Sequence, residues 1–249
     1  MLIIDSTGLS QGALNEKLSK AAAQGEDTVV VRNVLGQRYL GTGLPPISLD
    51  LYGTPGEDLG AFMDGPKVRV FGNAQNAVGN TMNSGLIVVH GSAGDIVGHS
   101  MRGGQIWIRG NAGYRVGIHM KASASDGPVI IIGGCTGDFL GEYMAGGTLI
   151  VLGLGRAAGG RVVGNWVGTG MHGGTVYIRA EVPEYRLGRG ACQGECDESD
   201  LASLRKHLLP YCREFNLGLR EVLSGRFTKL SPVTSRPYGR LYTSSVGEC

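Results

Sequence analysis

The side chains best suited to acid–base chemistry near neutral pH are the histidines, and the sequence holds five of them. They are His90, His99, His119, His172 and His207. We predict that His90 points outward from a strand and that His99, His119 and His172 lie at glycine-rich corners. No part of the repeat brings a histidine together with a carboxylate and a nucleophile. We therefore expect hydrogen-bonded surface or corner histidines and no catalytic residue.

Three cysteines form the cluster that most resembles a metal site. Cys192 and Cys196 lie four positions apart, and Cys212 follows further along the chain. With a fourth ligand, three thiolates could hold zinc or an iron–sulfur cluster. The spacing matches no standard motif, so the three are weak metal candidates and free thiols are the default. Five cysteines, an odd number, favour reduced thiols and a cytoplasmic location.

A phosphate site is suggested only weakly, by the pattern Gly153-x-Gly155-x-x-x-x-Gly160. A P-loop would need a Gly-Lys-Ser/Thr sequence at a strand-to-helix turn. Paired glycines recur in almost every repeat of this chain, so repetition already explains them. We expect no cofactor to be bound by this chain.

The elements that must position these residues are organised by a 19-residue repeat. Each repeat has a glycine preceded by Leu or Val and a methionine three positions after the glycine, and two insertions lengthen the later repeats. The repeated residues are Gly60, Gly79, Gly98, Gly117, Gly141 and Gly168, with Met63, Met82, Met101, Met120, Met144 and Met171. A fixed period of this length is typical of repeat architectures.

One strand is predicted in each repeat. The fifth and seventh residues after each methionine are aliphatic, as in Ile87 with Val89 and Ile106 with Ile108, so this face should stack inward. The sixth residues point outward and are also largely apolar. Among them, Val88, Trp107, Ile131, Ile150 and Tyr177 are the predicted interface residues. This outward stripe is covered either by the chain's own helices or by another protein.

The period and the single strand per repeat predict an all-β solenoid, a parallel β-helix of about seven coils. We predict a strand and helix cap over residues 1–27, the repeat domain over 28–182, and a helical and irregular tail over 183–249. Helices are expected at residues 10–24, capped by Ser10, at 197–215, kinked or split by Pro210, and at 217–227. The insertions at 121–127 and 153–164 should form surface loops.

Composition excludes several functional classes. The net charge is +2 with no Lys/Arg cluster, so nothing indicates nucleic-acid binding. No apolar run approaches about 18 residues, so no membrane span is predicted. The amino terminus lacks the basic start of a signal peptide, which also favours the cytoplasm. A hexapeptide-repeat acyltransferase is disfavoured, because such enzymes have a six-residue pattern with three equal faces per coil.

The repeat G-x-x-M-x-G-G-x-I-x-V-x-G-x-A-G resembles that of the GXGXG family. The segments that carry the resemblance are residues 97–114, 141–153 and 168–179. The family includes the third domain of the glutamate synthase large subunit and the C subunit of formylmethanofuran dehydrogenase. Gly-Glu-Tyr-Met-Ala-Gly-Gly at residues 141–147 looks closer to the glutamate synthase branch, in the stand-alone archaeal-type form.

This resemblance implies a right-handed β-helix without catalytic residues. It further implies a scaffold subunit that positions a glutaminase chain and a synthase chain, which together make glutamate from glutamine and 2-oxoglutarate. FMN and iron–sulfur clusters would then lie in the partner subunits. The alternative is the C subunit of formylmethanofuran dehydrogenase or of the related formyltransferase/hydrolase complex. No family catalytic residue matches a position in this sequence.

Overall fold

A computed structural model describes residues 1–122 and 127–234. Its elements, in chain order, are β1 (Leu2–Asp5), α1 (Gln11–Ala23), β2 (Thr28–Leu35), β3 (Ser48–Thr54), β4 (Asp64–Phe71), β5 (Ser84–Val89), β6 (Gln105–Ile108), β7 (Val129–Ile132), β8 (Ala145–Val151), β9 (Gly173–Ile178), a 3-10 turn (Glu184–Arg186), β10 (Ala191–Glu195), α2 (Glu198–Glu214), α3 (Leu219–Leu223) and β11 (Thr228–Pro232). Within the described residues, no helix is long and apolar enough to cross a membrane.

All these strands join one eleven-stranded sheet. Strands β1 to β9 lie side by side in chain order and are parallel. Strand β11 then pairs antiparallel with both β9 and β10. The register places equivalent residues of successive repeats beside one another, as with Ile87 and Ile106. The 19-residue spacing is therefore the distance along the chain between neighbouring strands of one sheet.

The predicted fold class, an all-β solenoid in the form of a right-handed parallel β-helix, is wrong. The structure is a single, mostly parallel sheet with a few helices, an arrangement like that of an α/β protein. Each repeat supplies one strand to this sheet, and the rest of the repeat is turn. The sheet also ends in an antiparallel pair, and helix α2 covers part of one face.

The larger core lies on the inward face of the sheet. The aliphatic ladder predicted from the sequence is buried there, with Ile87, Ile106 and Ile130 fully inaccessible to solvent. The six repeat methionines are buried beside it. Backbone hydrogen bonds repeat with the same period, since the amide of Gly79 donates to the carbonyl of Leu59 and that of Gly98 to Val78, both at 2.8 Å. Burial of these aliphatic side chains is the main stabilising contribution.

Helix α1 closes the inward core near the first strands. Ser10 Oγ accepts a hydrogen bond from the amide of Ala13 at 3.2 Å, which confirms the predicted cap. Leu14, Leu18 and Ala21 of this helix are buried against the core.

Helix α2 confirms the predicted helix at 197–215. Asp197 caps it with a reciprocal capping box that includes Asp200. The helix runs through Pro210, so of the two predicted effects, a kink or a split, the split does not occur. Parts of two predictions, the loop at 121–127 and the end of the tail at 183–249, lie outside the described residues.

Candidate functional site

The structure brings the rings of His99 and His119 to 6.2 Å from each other, edge to face, and the other three candidate histidines have different neighbours. The His90 ring stacks on Phe71 at 4.8 Å, and its Nε2 lies 3.6 Å from a carboxylate oxygen of Glu214. Burial, and to a lesser extent the neighbouring His119, lower the pKa of His99. His172 Nδ1 lies 3.2 Å from the carbonyl oxygen of Gly170. His207 lines a cavity of about 480 Å³ beside α2.

The three candidate metal ligands also lie in different settings. Cys192 is exposed on β10, and its thiol donates to the Ser231 carbonyl at 3.3 Å. Cys196 is half-buried just after β10, and Cys212 is buried on α2. Burial raises the pKa of the Cys196 and Cys212 thiols, which opposes formation of the thiolate that binds metal. Over residues 1–122 and 127–234, no three His, Cys, Asp or Glu side chains are grouped as metal ligands.

The outward stripe is an internal packing surface. Its members, Val88, Trp107, Ile131, Ile150 and Tyr177, are all buried against α2 and the segments that follow it. Leu204, Leu208 and Tyr211 of α2 complete this second core. The chain's own helix α2 covers the stripe, which is one of the two alternatives that the sequence left open. These five residues therefore offer no free surface to another chain.

A buried polar cluster fixes the start of α2 to the sheet. Asp200 accepts hydrogen bonds from the Tyr177 hydroxyl at 2.7 Å and from Lys229 Nζ at 2.9 Å. Burial alone would raise the pKa of Asp200, but these hydrogen bonds outweigh it and the pKa is lowered. Burial, followed by the hydrogen bond to Asp200, raises the pKa of Tyr177. The ionised carboxylate thus links β9, α2 and β11.

The repeat glycines are required by both backbone and packing. All six have positive φ, between 67° and 72°. A Cβ atom built at Gly79 would lie against Cδ1 of Ile106, closer than real Cβ atoms approach, and 3.2 Å from its Cγ1. The inward ladder therefore fills the space that a side chain on the glycine would need.

Two columns of left-handed residues flank these glycines on the surface. One column contains Arg115, Phe139 and Trp166, and the other contains His119 and Tyr143, all with φ between 51° and 62°. Equivalent positions in earlier repeats also have positive φ, and they hold Ala77, Thr81 and Ser100 as well as the bulkier Tyr39, Phe62 and Ile96. We call these five residues (Arg115, His119, Phe139, Tyr143 and Trp166) the aromatic corner.

The side chains of the aromatic corner are ordered by stacking. Phe139 and Trp166 stack at 4.8 Å, and the Arg115 guanidinium lies over the Phe139 ring at 4.8 Å. His119 and Tyr143 stack at 5.4 Å with only 8° between their planes. Even so, Trp166 is 51% and Tyr143 47% exposed. The corner thus presents stacked aromatic rings and a guanidinium group to solvent.

The two columns are joined to each other. Arg115 Nε donates to Glu142 Oε2 at 3.0 Å, and Glu142 is the residue next to Tyr143. The Tyr143 ring lies directly over Gly170, where an added Cβ would come within 2.5 Å of the ring. The corner is therefore pre-organised, a property that lowers the entropic cost of binding.

The aromatic corner was not predicted from the sequence. Its signal was an aromatic residue two places before a repeat glycine, as at Phe139 and Trp166, or one place before a repeat methionine, as at Tyr143. That signal is weak, because bulky residues seldom adopt left-handed backbone. An aromatic residue in the sequence therefore does not predict this conformation.

Comparison with known proteins settles the family. The sequence model described as the GXGXG motif matches residues 21–229. The chain belongs to the GXGXG motif family. This confirms the resemblance carried by the glycine and methionine repeat.

Two proteins are similar to this GXGXG chain over most of its length. An uncharacterized protein of Methanocaldococcus jannaschii is 44% identical over 254 residues, covering 98% of this chain and 97% of that protein. A chain in the crystal structure of the formyltransferase/hydrolase complex FhcABCD from Methylorubrum extorquens, in complex with methylofuran, is similar with a TM-score of 0.61. That likeness covers 90% of this chain and 88% of the other at 19% identity, and shows a shared fold.

Proposed function

We propose that this GXGXG chain is a non-catalytic, protein-binding subunit of a multi-subunit enzyme complex, and that the aromatic corner contacts its partner. The observation that carries the proposal is the exposure of stacked aromatic rings on left-handed backbone. Trp166 and Tyr143 are about half exposed, so they bury only part of their apolar surface in the free chain. Aromatic and arginine side chains are the residues enriched at the energetic centres of interfaces.

Stability of the isolated chain does not account for these residues. A bulky residue in the left-handed region costs on the order of 1–3 kcal/mol. Asn adopts this backbone more readily than an aromatic residue, and equivalent positions elsewhere hold Ala77 and Ser100 as well as Tyr39 and Phe62. Strained positions of this kind cluster at functional sites. A partner that buries the rings would recover the cost.

A formyltransferase/hydrolase-type complex is the better supported setting. The structural neighbour is a chain of such a complex, and the likeness extends over most of both chains. In this setting the partner would be an amidohydrolase-like subunit, or a molybdenum or tungsten subunit in the related dehydrogenase. Any cofactor would be bound by the partner.

The second candidate is a glutamate synthase-like complex. It is favoured by the segment at residues 141–147, which resembles the glutamate synthase branch and contributes Tyr143 to the aromatic corner. Its partners would be a glutaminase chain and a synthase chain that carries FMN and iron–sulfur clusters.

Purification of the tagged chain from its native host tests both settings. The co-purifying proteins are identified by mass spectrometry, and the complex is assayed for metal and for flavin absorbance. An amidohydrolase-like, molybdenum or tungsten partner supports the first candidate. A flavin-containing partner with a glutaminase supports the second. A chain that elutes alone from gel filtration, without a partner at any salt concentration, contradicts the proposal.

A further inference from the structure

The second insertion carries arginines that the proposed function does not use. A cavity of about 340 Å³ lies between this insertion and the segment after β9. We infer that this cavity is a binding site for a small anion with phosphate or carboxylate groups, held by Arg156, Arg161 and Arg186. The cavity shares no lining residue with the aromatic corner, so this inference does not require the proposed function to be correct.

The charges around the cavity favour an anion. Three arginines line it, against one acidic residue, Glu181. Across residues 1–122 and 127–234, none of the three arginines forms an ion pair with a carboxylate. Guanidinium groups bind carboxylate and phosphate through paired hydrogen bonds, and they keep their charge at all ordinary pH values. Their charge therefore remains available to a ligand.

Two of the three arginines are already held in place. Arg156 Nη1 donates to the Gly153 carbonyl at 3.4 Å, and Arg186 Nη1 donates to the Val163 carbonyl at 3.2 Å. Arg186 Nε is buried without a hydrogen-bond partner in the described structure. A buried donor without a partner is costly, and an anion in the cavity would supply one.

The backbone of the insertion supports the same site. Gly153 has φ of 61°, and a Cβ added there would come within 2.6 Å of Val162 and 3.1 Å of Arg156 Nη1. The turn at Gly153 thus lets Arg156 and Val162 approach each other at the edge of the cavity. The volume is at the small end of the range for ligand pockets. This volume, together with Val162 and Val182 in the lining of the cavity, suits a small organic phosphate or carboxylate.

Titration calorimetry on the full-length chain tests the site. The probes are inorganic phosphate and succinate at low ionic strength, with chloride at matched ionic strength as the reference. We expect saturable 1:1 binding of phosphate, succinate or both, which weakens as salt is added. The two probes separate a phosphate-selective from a carboxylate-selective site. Absence of saturable binding for both probes would overturn the inference.

Matched variants locate the binding. Arg156 and Arg161 are exposed, so Arg161→Gln and the double variant with Arg156→Gln should keep the thermal midpoint of the parent. We expect Arg161→Gln to weaken binding about tenfold or more and the double variant to abolish it. Arg32→Gln is the control, because Arg32 is exposed on β2, far along the sheet from the cavity. Equal affinity in the double variant and the control would also overturn the inference.

Discussion

Substitution of Gly79 by alanine should destabilise the chain through two separable effects. Gly79 has φ of 68°, where alanine costs about 1–2 kcal/mol relative to its ordinary backbone. The new methyl group would also meet Cδ1 of Ile106 inside the core. Overpacking of this kind costs about 1–3 kcal/mol. We therefore expect Gly79→Ala to lower the free energy of unfolding by roughly 2–5 kcal/mol.

A second substitution separates packing from backbone. Ile106→Val removes Cδ1 and leaves a carbon at the Cγ1 position, 3.2 Å from the added methyl group. Alone, this change should cost about 0.5–1.5 kcal/mol. In the Gly79→Ala background, Ile106→Val should instead raise the free energy of unfolding by about 1–2 kcal/mol, because it removes the closest clash. The backbone cost at residue 79 should remain.

The assay is urea unfolding of the parent, both single variants and the double variant, followed by tryptophan fluorescence. Gly8→Ala is the matched control, since Gly8 has φ of 72° and nothing within 4 Å of an added Cβ. It should show the backbone cost alone. The packing explanation is refuted if the changes in free energy of unfolding from the substitutions at residues 79 and 106 are additive. It is also refuted if Gly79→Ala lowers that free energy no more than Gly8→Ala does.

Three further variants test the core and the anchoring of α2. Ile106→Ala should lower the free energy of unfolding by about 2–5 kcal/mol through the cavity it leaves; an unchanged urea midpoint would show that Ile106 is not in the core. Trp107→Ala should cost about 3–5 kcal/mol, because the indole is only 6% exposed and packs edge-on against Tyr211 at 6.3 Å. A larger effect on partner binding than on folding would contradict this placement. Asp200→Asn should cost about 1–3 kcal/mol at pH 7. The lowered pKa of Asp200 means that its ionised form stabilises the fold above the ordinary carboxyl pKa, and that this contribution is lost as the pH falls through the lowered value. The difference in thermal midpoint between parent and Asp200→Asn should therefore narrow in acid, and a constant difference from pH 7 to pH 3 would exclude the charged contacts as its cause.

The sequence predicted the strands of the repeat because their signal is local. Residues such as Ile87 and Val89 alternate with a period of two, and β-branched side chains favour strands. The cap at Ser10 was equally predictable, since a side-chain oxygen at that position satisfies free amides of the helix start.

Strands β10 and β11 could not be predicted in the same way. Ala191–Glu195 and Thr228–Pro232 lack an aliphatic alternation and form strands by pairing with each other and with the edge of β9. Such pairing depends on residues far apart in the chain. The fold class was wrong for a related reason, because the period gives the spacing of strands but not the number of sheets that they form.

The cover of the outward stripe also depended on tertiary contacts. Trp107 and Tyr177 have the composition of an interface, and sequence alone cannot say whether a helix of the same chain or another protein covers them. The deciding contacts run from α2 to the sheet, as in the 3.1 Å hydrogen bond from the Tyr211 hydroxyl to the Ile108 carbonyl. The division into segments at 1–27, 28–182 and 183–249 stays a prediction.

The most direct test of the central claim is the affinity of the chain for its co-purified partner after changes at the aromatic corner. Trp166→Asn with Tyr143→Asn removes both rings and places a residue suited to left-handed backbone at each position. Tyr39→Asn is the control, since Tyr39 also has positive φ and is 40% exposed but lies outside the corner. We predict that the double variant keeps or raises the thermal midpoint and binds the partner at least tenfold more weakly, about 1.4 kcal/mol or more, whereas the control binds as the parent does. Parent-like affinity in the double variant, with folding intact, would contradict the account.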